Sequence, residues 1–385
     1  MKKRHMLAIG LCTLAIAATV FSTMAGAKTI PEVEQALRKM TVHEKICQMM
    51  ISYPYTMPVI GPDGKPTDKK ISATETGEAL RKSLEAYPVG GILYDAASMQ
   101  SHSQLTNLVS TAQSYSKIPM LITVDEEGGR VARIGKTLGY TRGPILNAMG
   151  TYADQGTQVA HDNAEFLALN INDHGFNLDF APVADTDSNP ANPVIGTRAY
   201  SKDFDQAAEL IGAAVQGFHD GGVACCLKHF PGHGDTSSDT HAGTVYVYKS
   251  IQEIRENELK PFQAGIDAGA DTVMIAHITI EDIGVPCLFS KEIITDLLRN
   301  EMNFQGVVIS DGLSMKAITD NYTPEETAYK AIAAGCDMFC CIDQMPRVIE
   351  YLEKEIETGN ISEERIDESV RRILTLKYNR GILNT

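Results

Sequence analysis

The sequence predicts an α/β fold, a single-domain (β/α)8 TIM-type barrel over residues 28–385, and three observations carry that prediction. Eight short apolar runs rich in β-branched residues recur along the chain, and buried parallel strands read as continuous runs of this kind. Longer amphipathic stretches with helical spacing separate them, the alternation a closed α/β barrel requires. No internal repeat, low-complexity linker or second block of elements follows the last of them. A doubly wound open sheet satisfies the same alternation, because pattern alone does not give strand order.

Residues 1–27 are set apart from the fold as a signal peptide. Lys2, Lys3 and Arg4 form a basic start, Met6 to Ser22 is apolar or small, and Ala25-Gly26-Ala27 supplies a cleavage site. The apolar run falls short of the roughly 20 residues a membrane span needs, so cleavage is expected over a retained anchor. Cys12 follows Ile9-Gly10-Leu11, a poor site for lipid attachment. The predicted location is periplasmic or extracellular, with no stable membrane insertion after cleavage.

The candidate strands are 47–51, 90–94, 119–125, 176–182, 223–229, 272–278, 306–311 and 338–342. Helix patterns occupy 97–116, 155–174, 202–220, 249–269, 290–302, 323–335 and 345–358, and a last helix over 362–379 closes the chain. Residues 52–86, with Pro54, Pro58, Gly61, Pro62, Gly64 and Pro66, read as a surface loop before the first barrel helix.

Composition bounds the partners. The chain has 385 residues, 43% hydrophobic and 22% charged, an ordinary globular balance. Its formal net charge of −15, more negative still without the basic leader, disfavours nucleic acid and anionic lipid. A monomer without a cofactor is expected. Seven cysteines follow Cys12: Cys47, Cys225, Cys226, Cys287, Cys336, Cys340 and Cys341. An odd number with two adjacent pairs is a poor disulfide framework. Adjacent strand residues face opposite ways, so neither pair is expected to share a metal, and small buried hydrophobes are the expected role.

In a barrel the site lies at the C-terminal ends of the strands. Here those ends are polar: Asp125, Asp185, Lys228 with His229, His277 and Asp311. The densest cluster is KHFPGHGDTSSDTH, residues 228–241, where glycines and Pro231 indicate a shaped loop. Within it Asp239 stands two residues before His241. A carboxylate there can accept one ring N–H and leave the other nitrogen free for proton transfer. His233 reads as a structural loop histidine, and His229, His233 and His241 with the loop aspartates are also ligand types suited to zinc. Asp311, in VVISDGLSM, suits the ionised carboxylate nucleophile of a glycosidase or, equally on local sequence, a helix N-cap. In VDEEGGRVAR, residues 124–133, Asp125 suits sugar hydroxyls, and Arg130 and Arg133 suit hydroxyl or acyl oxygens or a surface ion pair.

Taken together these stretches resemble the N-terminal barrel of glycoside hydrolase family 3, specifically its bacterial β-N-acetylglucosaminidases. The family pattern D-x-E-G-G-R-V-x-R, N-P-x-x-x-x-R, K-H-F-P-G-H-G-x-x-x-x-D-[ST]-H and S-D-x-x-x-M is met by DEEGGRVAR from Asp125, NPVIGTR ending at Arg198, KHFPGHGDTSSDTH from Lys228, and SDGLSM with Asp311 and Met315. The resemblance implies a retaining exo-β-N-acetylglucosaminidase with Asp311 as nucleophile and His241, oriented by Asp239, as acid/base. It implies that Asp125, Arg133, Arg198, Lys228 and His229 bind sugar hydroxyls and that Met315 lines the pocket. No metal is implied. Gly312 departs from the pattern, standing where many relatives carry a second Asp.

Family 3 β-glucosidases generally take their acid/base from a second domain. The sequence ends at Thr385 without one, so the donor is expected from the barrel. The implied partner is an N-acetylglucosamine-containing oligosaccharide, as in peptidoglycan or chitin turnover. A β-glucosidase, a phosphorylase of the same family, a metal-dependent hydrolase and a non-catalytic carbohydrate-binding barrel are the alternatives.

Overall fold

The computed structural model describes residues 30–143 and 156–383; the expected signal peptide lies outside them. Eight parallel strands close into one barrel: β1 Met50–Ser52, β2 Gly91–Leu93, β3 Leu121–Val124, β4 Leu178–Asp179, β5 Ala224–Phe230, β6 Thr272–Ile275, β7 Val307–Gly312 and β8 Met338–Cys340. Each pairs with its neighbour in sequence, and β8 returns to β1 through Met50 opposite Phe339. Closure of the ring excludes the open doubly wound sheet.

The strands are buried along their length because barrel side chains fill the interior on one face and meet helices on the other. Helices His102–Tyr115, Thr157–Asn172, Phe204–Asp220, Pro324–Ala334, Met345–Glu357 and Glu363–Asn379 fall where apolar spacing places them. Their ends follow local chemistry. Thr323 and Glu326 form a reciprocal capping box at one helix start, and Gly335 ends that helix with a left-handed φ of 112°. A Cβ on Gly335 would lie 2.8 Å from Thr295 Oγ1.

The expected elements need four corrections. The span 52–86 is not loop throughout: it holds a two-stranded hairpin, Val59–Ile60 with Pro66–Thr67, and helix Glu78–Ala86 between β1 and β2. The first strand begins at Met50, because the helix over Val42–Gln48 takes up the residues before it. The helix expected over 249–269 breaks at Asn257 into Ile251–Glu256 and Leu259–Asp267. The sixth run stops at Ile275, and Ile278–Ile280 pairs with Val245–Val247 outside the barrel sheet. No helix among the described residues is long and apolar enough to cross a membrane.

Candidate active site

The strand-end groups converge on a cavity of about 560 Å³. Of the nine residues expected at the site, eight line it: Asp125, Arg133, Arg198, Lys228, His229, His241, Asp311 and Met315. The ninth, Asp239, stands behind His241.

One wall is a charge network built from three separate loops and strands. Lys228, near the end of β5 and 2% exposed, places its ammonium 2.8 Å from Asp125 Oδ1 and 2.7 Å from Glu127 Oε1. Arg198, from the loop after β4, donates to both Glu127 oxygens at 2.8 and 2.7 Å. Burial works against the charge of Glu127, but the two cations outweigh it and hold its carboxyl well below the usual range. They leave Asp125 the more open carboxylate, with Arg133 3.6 Å away on its other oxygen. The buried Glu126 accepts the N–H groups of Ile134 at 2.7 Å and Gly135 at 3.1 Å, which fixes the turn that carries Arg133. Arg130 is outside the cavity lining and donates to the Val194 carbonyl instead.

The second group is His229, whose Nδ1 lies 2.6 Å from Asp185 Oδ2. Asp185 is buried and ionised. Burial raises its pKa, but the His229 ring and hydrogen bonds bring it below the ordinary value. As acceptor it makes Nδ1 the donor, so Nε2 faces Arg198 at 3.4 Å. Asp185 also accepts the N–H of His233 at 2.6 Å and so ties down the start of the 231–241 loop. His233 itself is structural, as expected: it is buried, with Nδ1 2.8 Å from Thr236 Oγ1. Gly234 is required there, because a Cβ would fall 1.7 Å from the Thr186 carbonyl oxygen. The Asn192 amide donates to the carbonyls of His233 and Gly234 at 2.8 and 3.0 Å and clamps this loop to the one bearing Arg198.

Asp311 lies near the end of β7, where the strand directs it into the cavity. It is not an N-cap: the Gly312 N–H that donates to its Oδ1 at 2.7 Å is still within the strand. Burial opposes its charge, but His277, His229, the Gly312 N–H and Lys228 together lower its pKa below the usual carboxylate value. His277, 1% exposed, donates from Nε2 to the Gly312 carbonyl at 3.0 Å and braces the residue beside Asp311.

His241 stands at the exposed edge of the cavity. Asp239 Oδ1 accepts from both its backbone N–H at 2.9 Å and its ring Nδ1 at 2.8 Å. These bonds outweigh partial burial and hold Asp239 ionised, below the ordinary carboxylate range. Nε2 is thereby left as the nitrogen for proton transfer. The zinc alternative loses its geometry: His229, His233 and His241 point to three different partners, and the metal-capable clusters among the described residues contain none of them.

Three contributors were not assigned a role from sequence. Asp185 and His277 were visible as strand-end polar groups, but their contacts cross between strands. Glu127 carried a usable signal, since it lies two residues from Asp125 and shares its side of a short hairpin.

Comparison with known proteins accords with this geometry. Residues 41–376 match the family described as Glycosyl hydrolase family 3 N terminal domain. A Beta-hexosaminidase A of Pseudoalteromonas piscicida is 32% identical over 359 residues, 86% of this chain and 60% of that protein. A Beta-hexosaminidase of Stenotrophomonas maltophilia is 37% identical over 273 residues, 70% of this chain and 80% of that one. A solved glycoside hydrolase family 3 β-N-acetylglucosaminidase from Paenibacillus sp. superposes with a TM-score of 0.80 at 33% identity. It aligns with 89% of this chain, which spans 63% of its length. The chain belongs to glycosyl hydrolase family 3.

Proposed function

We propose that the protein is a retaining exo-β-N-acetylglucosaminidase that removes terminal β-linked N-acetylglucosamine. The observation that carries this reading is one cavity holding an ionised strand-end carboxylate, Asp311, and a carboxylate-oriented imidazole, His241, at its edge. In the first step Asp311 attacks the anomeric carbon as the glycosidic C–O bond breaks, and His241 Nε2 gives its proton to the departing oxygen. In the second step water attacks the same carbon, His241 takes its proton, and the bond to Asp311 breaks. Two inversions leave the β configuration in the product.

The charge network binds the sugar. Asp125 accepts from hydroxyls, Arg133, Arg198 and Lys228 donate to hydroxyl oxygens, His229 accepts from a hydroxyl at Nε2, and Met315 lies against the ring. A cavity of about 560 Å³ suits a terminal sugar unit and its neighbouring group. The names of the relatives support the acetamido sugar over plain glucose. Muropeptide fragments and chitin oligosaccharides both present such an end. Export rests on the signal at residues 1–27, and N-terminal sequencing of exported protein should begin at Lys28.

The test compares p-nitrophenyl β-N-acetylglucosaminide with the β-glucoside, with and without phosphate and with EDTA present. Wild type should prefer the acetamido sugar, release free sugar in both buffers and keep its rate in EDTA. Asp311→Ala should lose turnover, and His241→Ala should lose most on substrates with poor leaving groups. Preference for the glucoside, sugar phosphate as product, or equal loss for every leaving group would each overturn part of this assignment.

A further inference from the structure

The reaction uses no cysteine, yet two cysteines form part of the cavity wall. Cys47, Cys225, Cys226, Cys287 and Cys336 are 0% exposed and do not line the cavity. Cys340 and Cys341 do line it, beside Tyr53, Gly312 and Met315.

Alternation along a strand should send adjacent side chains to opposite faces. Cys225 and Cys226, inside β5, keep that rule: one sulfur lies 3.9 Å from His219 Nε2 and the other 3.9 Å from the Leu227 carbonyl oxygen. Cys340 and Cys341 break it. β8 ends at Cys340, and Cys341 takes a left-handed φ of 56° while its N–H donates to the Ile51 carbonyl at 2.8 Å. That turn brings the sulfurs to 3.6 Å, with Cys340 S–H donating to Cys341. The opposite facing on which the expectation that neither pair shares a metal rested does not hold for this pair.

The protonation state narrows the ligand. The hydrogen bond to Cys341, burial, and the negative charge of Asp311 and Asp125 hold the Cys340 thiol well above the ordinary range. Cys340 is thus held as the neutral thiol, poorly suited to attack as a thiolate. The sulfur pair, 3.6 Å apart, suits a thiophilic centre that bonds to two sulfurs at once.

We propose that Cys340 and Cys341 form a vicinal-dithiol site for trivalent arsenicals, and that its occupation closes the sugar cavity. An organoarsenic dihydroxide exchanges two As–O bonds for two As–S bonds. Each S–H proton leaves with a hydroxyl as water, and nothing is oxidised or reduced. Capture stands on the sulfur geometry alone; closure rests on the cavity being the sugar site proposed above.

The full chain is titrated with phenylarsine oxide in excess 2-mercaptoethanol, which suppresses single-thiol adducts. Intact mass should show one phenylarsenic per chain, removed by dithiothreitol. After 2-mercaptoethanol is removed by gel filtration, N-ethylmaleimide at a pH and time that label Cys340 and Cys341 in the free protein, mapped by peptide mass, should leave both unlabelled in the arsenical adduct. Cys341→Ser and, separately, Cys340→Ser should lose the adduct. No adduct in wild type, an adduct mapped to other cysteines, or one retained in folded serine variants would overturn capture. If the variants do not fold, the wild-type alkylation map decides: protection at Cys340 and Cys341 supports capture, and protection elsewhere overturns it. Hydrolysis of p-nitrophenyl β-N-acetylglucosaminide should fall with adduct formation and return with dithiothreitol, and an adduct with undiminished turnover overturns closure. The mass readout is independent of activity, so failure of the enzymatic reading and failure of capture are separable.

Discussion

Glu127 is 4% exposed and answers two buried cations at once, Lys228 at 2.7 Å and Arg198 through a two-bond fork. Removing one member of such a set leaves the others buried and uncompensated, which costs more than the set contributes as a whole. Glu127→Gln should therefore destabilise the fold by about 3–5 kcal/mol in denaturant titrations and raise KM, as Arg198 and Lys228 lose their anchor. Unchanged stability with raised KM would show that the cations find another partner. Single residues explain the sequence reading as well. Asp311, His241 and Lys228 were marked as candidates for the cavity by strand ends and a shaped loop, while the roles proposed for them came from the family resemblance. The Asp185 contact to His229 spans 44 positions and the His277 contact to Gly312 spans 35, and no local spacing encodes either.

At the scale of elements, the eight strands were legible as apolar runs because a parallel strand buried on both faces needs no polar alternation, whereas their order and closure into a ring were not. The misread elements are those in which tertiary contacts override composition. Residues 78–86 follow a Pro/Gly-rich stretch, so the whole span looks like loop, yet Leu80 and Leu84 are fully buried and hold the segment as a helix. The break at Asn257 has a structural partner in Glu258, which is 5% exposed and bonded to Lys249 across the loop. Where local chemistry is strong, boundaries follow it. The helix Pro324–Ala334 starts at the Thr323–Glu326 capping box, with the Thr323 hydroxyl accepting from the Glu326 N–H at 3.2 Å. Thr323→Ala should cost about 1 kcal/mol in a denaturant midpoint measurement with kcat/KM unchanged, since the cap touches no cavity residue. A shift in kcat/KM would show that this helix helps to position the 311–316 segment.

Across the whole molecule the two ends of the barrel divide the work, with chemistry at the C-terminal ends of the strands and anchoring at the other. The helix Glu363–Asn379 and the residue after it supply much of that anchoring. Arg372 meets Asp337 just before β8 at 3.1 Å, Arg380 meets Asp271 just before β6 at 2.7 Å, and Lys377 donates to Gln48 just before β1 at 2.7 Å. Lys377 differs from the two arginines, because its partner is a neutral amide and its side chain is fully buried. Burial alone pushes its pKa down to about 7. In the unfolded chain a lysine titrates near 10.4, so between these values the unfolded state binds the extra proton. Stability from this group must then rise with pH, from its lowest level below about pH 7 to its full level above the unfolded value, at a slope approaching roughly 1.4 kcal/mol per pH unit. Lys377→Met removes the titrating amine and leaves Gln48 one donor short, a cost that does not vary with pH. Denaturant titrations of both proteins from pH 6 to 9.5 should therefore give a difference in stability that shifts in favour of wild type as pH rises. A constant difference would mean that Lys377 keeps its proton in the barrel floor, with the Gln48 carbonyl and neighbouring backbone dipoles meeting the cost of the charge.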